Sequence, residues 1–460
     1  MRKAKFFLVA IILLHVILLL NLKFTAWPEM LFWPYLMLKG WLPYRDMAIA
    51  HTPALLVDLT IFYKIFGLGL LQLKIYTWIL IISTDLLLFW IAKRLWNIKI
   101  AVMTLLFYIP LTIFYEGNGL WFDLALAQLA LIVFYCLEKK NYLWAGIFWT
   151  VAFLTKQTAF WLLFPIIFTG LRQPFKEFSL RVIDPPGSVT FKILRKFVLG
   201  ASAIGIAFYL VLQNLGIWGD FWLWAIKFGI TKLPASSGQI QLPSIRQFIV
   251  ATFPILILGI SSLRLKTPFK LFFWSVFASL GVIPRWELFH FQPALPFLAL
   301  GFSHVIGQYP KIKMRERTLF PIGLLIFAIL LSQQVIRDWR KGDRFFEPEV
   351  VKVSDYIGRN SDKGDEIYIV NAWDNLYVLS ETIPVTRPWL PQLSWYLEIP
   401  GIQDLVISDL MRSPPKLIIQ AEFQETGLGA YKPEKINNFI VENYNLSDKI
   451  DGYLIFAPKQ

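Results

Sequence analysis

The chain has 460 residues, of which 56% are hydrophobic and 17% are charged. Ordinary globular chains contain about 45–50% apolar residues, and a chain this apolar cannot cover a water-soluble surface of its size with polar side chains. The composition therefore excludes a soluble protein and predicts a polytopic α-helical membrane protein. The formal net charge is +14, but the cations flank apolar runs, which favours a role in membrane topology over nucleic-acid binding. The single cysteine, Cys136, excludes an internal disulfide and a cysteine metal cage.

Apolar stretches predict about eleven transmembrane helices, the first of them an uncleaved helix behind a basic N-terminus. The predicted spans are 6–22, 72–92, 100–115, 120–137, 142–156, 159–171, 197–215, 246–262, 268–284, 291–307 and 318–336. The fifth and sixth are short for a hydrocarbon core of about 30 Å. We expect them to meet at a tip, residues 154–158, that lies below the outer surface beside protein or a wet cavity.

The distribution of lysine and arginine predicts the orientation of the chain. Most loop cations lie on the same side as the N-terminus, so the positive-inside rule places that terminus in the cytosol. With eleven spans, everything after Ile336 is then outside a plasma or inner membrane. We therefore predict a transmembrane domain, 1–336, and an extracytoplasmic soluble domain, 337–460.

The soluble tail alternates between helical and strand patterns, which is typical of a small α/β layer. Helical spacing of apolar residues covers 348–357, 403–411 and 434–441. Buried strands are predicted at 366–370, 416–420 and 453–456.

Ionisable residues near the spans are costly in a bilayer, so their positions carry information. With the predicted topology, all but Asp85 fall at outward-facing helix ends or in outer loops, which predicts one outward-facing polar cavity. Asp85 is interpreted as a structural group that pairs with a lysine or reaches the cytosolic side, and His15 and His304 as packing residues. The outward group consists of Glu29, Asp46, His51, Asp58, Glu116, Asp123, Lys156, Arg285, Glu287 and His290.

Several segments together resemble a known family. They are Glu29, Gly40-x-x-Pro43-Tyr44-Arg45-Asp46, His51-Thr52-Pro53, Trp121-Phe122-Asp123, Leu154-Thr155-Lys156-Gln157, and Pro284-Arg285-Trp286-Glu287-Leu288-Phe289-His290 before Pro293. Their order and spacing resemble GT-C glycosyltransferases, and most of all the bacterial protein O-mannosyltransferase and aminoarabinose-transferase group. The chain has Pro28-Glu29 where that family usually has an Asp-Glu pair.

The resemblance implies transfer of a sugar from a polyprenyl-phosphate donor to an extracytoplasmic acceptor, which is a protein, a lipid or an envelope glycan. The residues agree, because the sequence contains neither a Walker loop nor a dinucleotide fingerprint. Such a reaction needs a carboxylate base for the acceptor hydroxyl and positive charge at the leaving phosphate. Glu29 is the first candidate for the base and Asp46 the second. Lys156 and Arg285 are assigned to the phosphate, with help from His290.

Alternatives remain open at several of these positions. Lys156 could instead form an ion pair with Asp123 or Glu116, and His290 could be structural. Asp123 and Glu116 could orient the sugar, bind a divalent cation through oxygen ligands or merely cap helices. His51 and Gln157 are further candidates for the sugar or for a metal. No cofactor is otherwise predicted.

The competing class is a transporter or flippase of lipid-linked saccharides. Such proteins usually show repeated halves and charges at the membrane midplane, and this sequence shows neither. In the tail, Asp374 follows a predicted strand, where it could meet the acceptor or simply form a turn.

Overall fold

The computed structural model describes residues 2–171, 189–231, 240–263, 266–283, 285–308, 314–423 and 432–459. The chain divides into two compact units, each built from three segments. Unit 1 comprises Met1–Phe24, Ile75–Val211 and Leu242–Lys341, and unit 2 comprises Thr25–Lys74, Leu212–Gln241 and Gly342–Gln460. The boundary predicted between a membrane domain and an extracytoplasmic domain at residue 336 stays a prediction.

Helices make up most of the described chain. In chain order the longer ones are α1 Arg2–Asn21, α2 Glu29–Leu38, α3 Ala54–Phe66, α4 Leu70–Leu95, α5 Ile98–Phe114, α6 Phe122–Glu138, α7 Tyr142–Thr155, α8 Val189–Asn214, α9 Ile245–Ser262, α10 Lys266–Ser279, α11 Leu295–Gly307, α12 Met314–Asp338, α13 Pro348–Asn360, α14 Asn375–Leu379, α15 Ile402–Arg412 and α16 Glu434–Asn443. Shorter helical turns cover Leu163–Pro165, Trp218–Phe221, Gly229–Thr231 and Ser394–Leu397.

Most predicted spans coincide with helices, but the number of membrane crossings stays a prediction. Within the described residues, four helical segments are long and apolar enough to cross a bilayer: Leu70–Leu95, Lys192–Asn214, Ile245–Ser262 and Phe320–Asp338. Shorter apolar helices include Phe6–Asn21, Ile98–Phe114, Tyr142–Thr155, Gln157–Phe168 and Thr267–Val282.

The outer faces of several unit 1 helices are apolar. On α8, for example, Val198, Leu199, Ile206 and Leu210 are all more than 45% exposed. Water-soluble proteins rarely expose so continuous an apolar surface, whereas lipid chains contact it without cost. This surface and the apolar helices are those of a multi-pass membrane protein.

The interior of unit 1 is packed around large aromatic side chains. Trp274 of α10 is fully buried. Its ring centroid lies 5.4 Å from that of Phe134 in α6 and 5.0 Å from that of Phe297 in α11. Aromatic pairs at these separations add attraction beyond the area that they bury, so this trio joins three helices.

Helices α7 and α8 approach each other through two glycines. A methyl carbon on Gly200 would lie 2.1 Å from the backbone oxygen of Leu143, and one on Gly146 would lie 2.0 Å from that of Phe197. The hydroxyl of Thr150 donates to the oxygen of Ala201 across the contact, at 3.2 Å. Small residues that permit close backbone approach are the usual means of helix association within lipid.

Unit 2 contains a five-stranded sheet formed by the C-terminal segment. Its strands are β1 Glu366–Val370, β2 Ile383–Pro384, β3 Ile418–Ala421, β4 Tyr444–Ile450 and β5 Tyr453–Pro458. Their order is β2-β1-β3-β5-β4. The first three are mutually parallel, and β5 runs antiparallel to β3 and β4. The three predicted strands are confirmed as β1, β3 and β5, whereas β2 and β4 were not predicted.

The segment Thr25–Lys74, which contains the predicted first outer loop, belongs to unit 2 and packs on this C-terminal segment. The ring of Phe32 in α2 stacks on Tyr377 in α14 at 5.1 Å, and the Tyr35 hydroxyl donates to the oxygen of Thr382 at 3.0 Å. Further along the loop, Met47 forms a parallel bridge with Trp389.

Candidate functional site

The chain reverses direction at Lys156. Helix α7 ends at Thr155, and Lys156 has extended backbone angles, φ −153° and ψ 131°. A 3-10 helix, Gln157–Leu162, follows. The indole of Trp149 donates to the backbone oxygen of Ala159 at 3.1 Å. In a straight helix these two residues, ten positions apart, would be separated by about 15 Å, so the chain must turn back between them. The turn-back predicted at residues 154–158 is therefore present, but the second arm is a mixture of 3-10, α and π turns rather than one α-helix.

Three polar side chains of unit 1 converge at this reversal. The Lys156 ammonium donates to Asp123 Oδ2. The ring nitrogen Nδ1 of His290 lies 3.0 Å from Lys156 Nζ and 2.7 Å from the same Asp123 oxygen. All three residues are buried. The ion pair considered as an alternative for Lys156 is thus formed with Asp123.

This cluster keeps some hydrogen-bonding capacity for a ligand. An ammonium has three N–H donors, and Asp123 and His290 account for two partners of Lys156. The second oxygen of Asp123, Oδ1, is buried and accepts no hydrogen bond from any described residue. A buried acceptor without a donor costs free energy. Asp123 Oδ1 is therefore suited to accept a hydrogen bond from a hydroxyl group of a bound molecule.

Arg285 is the more accessible cation of unit 1 near this cluster. Its side chain is 28% exposed, against 5% for Lys156. The Arg285 guanidinium lies 4.0 Å from the carboxylate of Glu287, and its charge acts on both Lys156 and His290. Unit 1 thus contains a buried ammonium and a partly exposed guanidinium, which are two cations of the kind that bind anions.

The other two unit 1 candidates lie in turns. Glu116 follows α5 with a φ of 54°, its backbone oxygen accepts from the amide of Gln292 at 3.3 Å, and its charge acts on Arg337. Gln157 begins the 3-10 helix after Lys156. Among the described residues, no three His, Cys, Asp or Glu side chains come together as a metal site would require.

In unit 2 the carboxylate of Asp46 is held by structural partners. Asp46 Oδ2 accepts from the backbone nitrogen of Leu42 at 2.7 Å, and Oδ1 lies 3.2 Å from Arg387. The Arg387 guanidinium also lies over the ring of Trp41 at 4.5 Å. Both oxygens of Asp46 are therefore engaged in the turn that positions the loop.

Glu29 has a different environment. It is half-buried at the first position of α2, and its charge acts on Asp374, which precedes α14. Burial raises the pKa of Asp374 well above its usual range, and the negative charge of Glu29 raises it further, whereas a hydrogen bond with Trp389 lowers it. His51 lies beside this region, with its ring centroid 6.1 Å from that of Trp33.

Sequence reasoning missed two pairings. The stacking of Phe32 on Tyr377 joins residues more than 300 positions apart, and no local pattern indicates it. Asp85 was expected to pair with a lysine, but it pairs with His15 instead. Nδ1 of His15 lies 2.6 Å from Asp85 Oδ2, and both side chains are fully buried. The signal for this second pair was available, because two ionisable residues within apolar spans need partners.

The fold of the described chain is similar to the folds of several solved proteins. The chain is similar to ArnT from Cupriavidus metallidurans in the apo state, with a TM-score of 0.64 and 11% identity over 99% of this chain and 98% of that one. The same protein bound to undecaprenyl phosphate gives 0.60 at 11% identity, over 98% and 97% of the two chains. The Archaeoglobus fulgidus oligosaccharyltransferase tethered with an acceptor peptide gives 0.55 at 11% identity, covering 99% of this chain and 74% of that one.

These likenesses concern the fold. No protein-family model matches the sequence, and no curated protein matches it significantly. The GT-C resemblance inferred from short motifs is therefore confirmed for the fold, whereas the roles of the individual residues stay predictions.

Proposed function

We propose that this protein is a membrane glycosyltransferase that transfers a sugar from a polyprenyl-phosphate donor to an acceptor outside the cytoplasm. The observation that carries the proposal is the buried cluster at the reversal of the chain, where Asp123 holds the Lys156 ammonium and Arg285 adds an accessible cation. Cations at the edge of an apolar unit suit a ligand that combines a lipid tail with an anionic phosphate. The similar ArnT structure with bound undecaprenyl phosphate supports this donor class.

In the proposed reaction, Arg285 and Lys156 stabilise the leaving phosphate. The acceptor oxygen attacks the anomeric carbon of the sugar, the bond from that carbon to the phosphate oxygen breaks, and the electron pair leaves with the polyprenyl phosphate. Positive charge directed at this oxygen stabilises the transition state. Asp123 Oδ1 would accept a hydrogen bond from a hydroxyl group of the sugar, and His290 would hold Asp123 and Lys156 in place.

Glu29 is the proposed general base, which accepts the proton of the acceptor hydroxyl. Asp46 is less suited, because Leu42 and Arg387 occupy its two oxygens. This ranking comes from the partners of Asp46 alone.

The proposal is tested with purified protein in lipid vesicles and a panel of polyprenyl-phosphate monosaccharides, by following release of polyprenyl phosphate. We expect Glu29→Gln to lower the rate roughly 10²–10⁴-fold, the usual contribution of a general base. Arg285→Gln should lower it roughly 10²–10³-fold, as for loss of one charge-stabilising donor.

Lys270→Met is the matched control for loss of a cation. Lys270 pairs with Glu138 elsewhere in unit 1, so its replacement should leave the rate within about threefold of the parent, because partly exposed ion pairs contribute little. Movement of labelled lipid across the bilayer without release of polyprenyl phosphate would instead favour the flippase.

A further inference from the structure

The connection between α8 and α9 contains short helical turns that are too short to cross a membrane. The segments before and after it, Lys192–Asn214 and Ile245–Ser262, are each long and apolar enough to do so. The first has 23 residues and is about 34 Å long, against a hydrocarbon core of about 30 Å. A chain that crosses the bilayer and then crosses back begins and ends such a connection at one surface. We call its described turns, Trp218–Phe221, Trp222–Phe228 and Gly229–Thr231, the connecting segment.

Helix α8 ends in a glycine turn just before the connecting segment. Gly216 has a φ of 67°, and the backbone nitrogen of Ile217 donates to the oxygen of Leu212 at 3.0 Å, which is a common way to end a helix. A methyl carbon on Gly216 would lie 3.2 Å from Nη2 of Arg45. The Arg45 guanidinium donates to the backbone oxygen of Gly216, so this turn is held by another part of unit 2.

One face of the connecting segment is covered by protein. Phe221 packs edge-on against Tyr44, with ring centroids 5.1 Å apart, and Phe228 stacks on Tyr396 at 4.5 Å. Tyr44 and Tyr396 come from the other two parts of unit 2, so the segment joins them. The covered side chains recur at helical spacing and are at most 9% exposed: Phe221, Trp224, Ala225 and Phe228.

The opposite face is also apolar, but it is exposed. Trp222 is 51% exposed, Leu223 44% and Ile230 70%. Ile226 lies four positions from both Trp222 and Ile230, so the three form one stripe on a helical segment. A helix that is apolar all round is normally buried on every side. The exposed stripe therefore needs an apolar cover that the described part of this chain does not supply.

The bilayer surface is the partner that both position and composition favour. A partner protein could bind anywhere on the molecule, whereas the headgroup region adjoins this connection whenever α8 and α9 span the membrane. Tryptophan is enriched at membrane interfaces, and the long side chain of lysine can reach the headgroups from an apolar surface. The connecting segment has both, since Trp222 and Lys227 are exposed on it.

We propose that the connecting segment lies in the plane of the membrane interface and binds phospholipid through Trp222, Leu223 and Ile230. Amphipathic segments of this kind bury their apolar face at the boundary between headgroups and acyl chains. Because the other face carries Tyr44 and Tyr396, the segment attaches unit 2 to the bilayer surface. This lipid-binding surface goes beyond the proposed transfer reaction and does not depend on it.

The first experiment measures lipid contact at the exposed stripe in vesicles. Cys136 is the single cysteine and is buried, so a maleimide dye labels Trp222→Cys or Ile230→Cys specifically. The vesicles contain phosphatidylcholine with a nitroxide either near the headgroup end or at the far end of an acyl chain. We expect quenching at both positions, stronger with the shallow nitroxide.

Arg359→Cys is the matched control, because Arg359 is an exposed position of α13 in the same unit. The dye at this position should not be quenched by either lipid. If Trp222→Cys and Ile230→Cys show no more quenching than Arg359→Cys, the proposal is overturned. Quenching between dyes that rises with the ratio of protein to lipid, without quenching by nitroxide, would mean that a second copy covers the stripe and would overturn it as well.

The second experiment tests whether the apolar side chains cause the contact. A dye at Leu223→Cys should lose its quenching when Trp222→Ser and Ile230→Ser are combined, and should keep it with Trp222→Phe and Ile230→Leu. Equal quenching in both backgrounds would show that the dye itself enters the lipid, which refutes the inference. Neither experiment uses a sugar donor, so the proposed function can fail while this surface stands, and the reverse.

Discussion

Removal of the Asp123 carboxylate should destabilise unit 1 strongly, because it leaves the Lys156 ammonium buried without its counter-ion. The side chain of Asp123 is fully buried and that of Lys156 is 5% exposed. Breaking a buried ion pair by removing one partner costs about 3–5 kcal/mol, whereas replacing both partners with apolar residues of similar volume is often neutral. We therefore expect Asp123→Leu to lower stability by about 3–5 kcal/mol and Asp123→Leu combined with Lys156→Met to recover most of it.

The measurement is an equilibrium unfolding series in lipid–detergent micelles on the parent, the two single variants and the double variant. Asp123→Leu and Lys156→Met serve as the single variants, so that the cycle isolates the coupling energy of the pair. The expectation that buried Asp123 and Lys156 depend on each other would be wrong in either of two cases. The first is that Asp123→Leu alone is as stable as the parent, and the second is that the double variant is no more stable than Asp123→Leu. A folded but inactive double variant would separate the catalytic role of the pair from its structural role.

Two further predictions concern packing and the alternative base. Gly200→Ala should lower the free energy of unfolding by about 1–3 kcal/mol, the usual effect of overpacking, because the added carbon would lie 2.1 Å from the backbone oxygen of Leu143. Thermal unfolding of the purified protein measures this loss. A gain in stability would contradict the close contact. Asp46→Asn should cost less than about 1 kcal/mol, since an amide oxygen still accepts from Leu42 and the Arg387 side chain is about half exposed. Donor cleavage by this variant should stay within about tenfold of the parent, and a loss as large as that expected for Glu29→Gln would make Asp46 the base.

The parts of the fold that depend on local pattern could be predicted from the sequence. Helix α5 was expected at 100–115 and is Ile98–Phe114, and α9 was expected at 246–262 and is Ile245–Ser262. Apolar runs bounded by charged or turn residues determine such elements, because each backbone group in a helix is satisfied within the segment itself. The reversal at Lys156 was also predictable, since a polar tip between two short apolar runs leaves few other arrangements.

The pairings between distant residues could not be predicted in the same way. Strand β2 has only two residues, Ile383–Pro384, and β4 contains exposed polar residues, so neither shows the pattern of a buried strand. The stacking of Phe32 on Tyr377 depends on how two helices pack, which the spacing of residues within either helix does not encode. By contrast, the pairing of Lys156 with Asp123 was among the alternatives, because a buried cation needs an anion and few were available.

The bridge between Met47 and Trp389 has a consequence for the order in which the chain matures. A ribosome delivers the loop that contains Phe32 and Met47 long before residue 389, and domains generally fold as the chain emerges. Until the C-terminal segment arrives, Phe32 and Tyr35 of α2 lack the side chains that cover them in the finished protein. Until then the apolar side chains of this loop must be covered by the membrane surface or by a chaperone. Premature termination before Trp389 would leave them as an apolar surface that quality-control proteases can recognise.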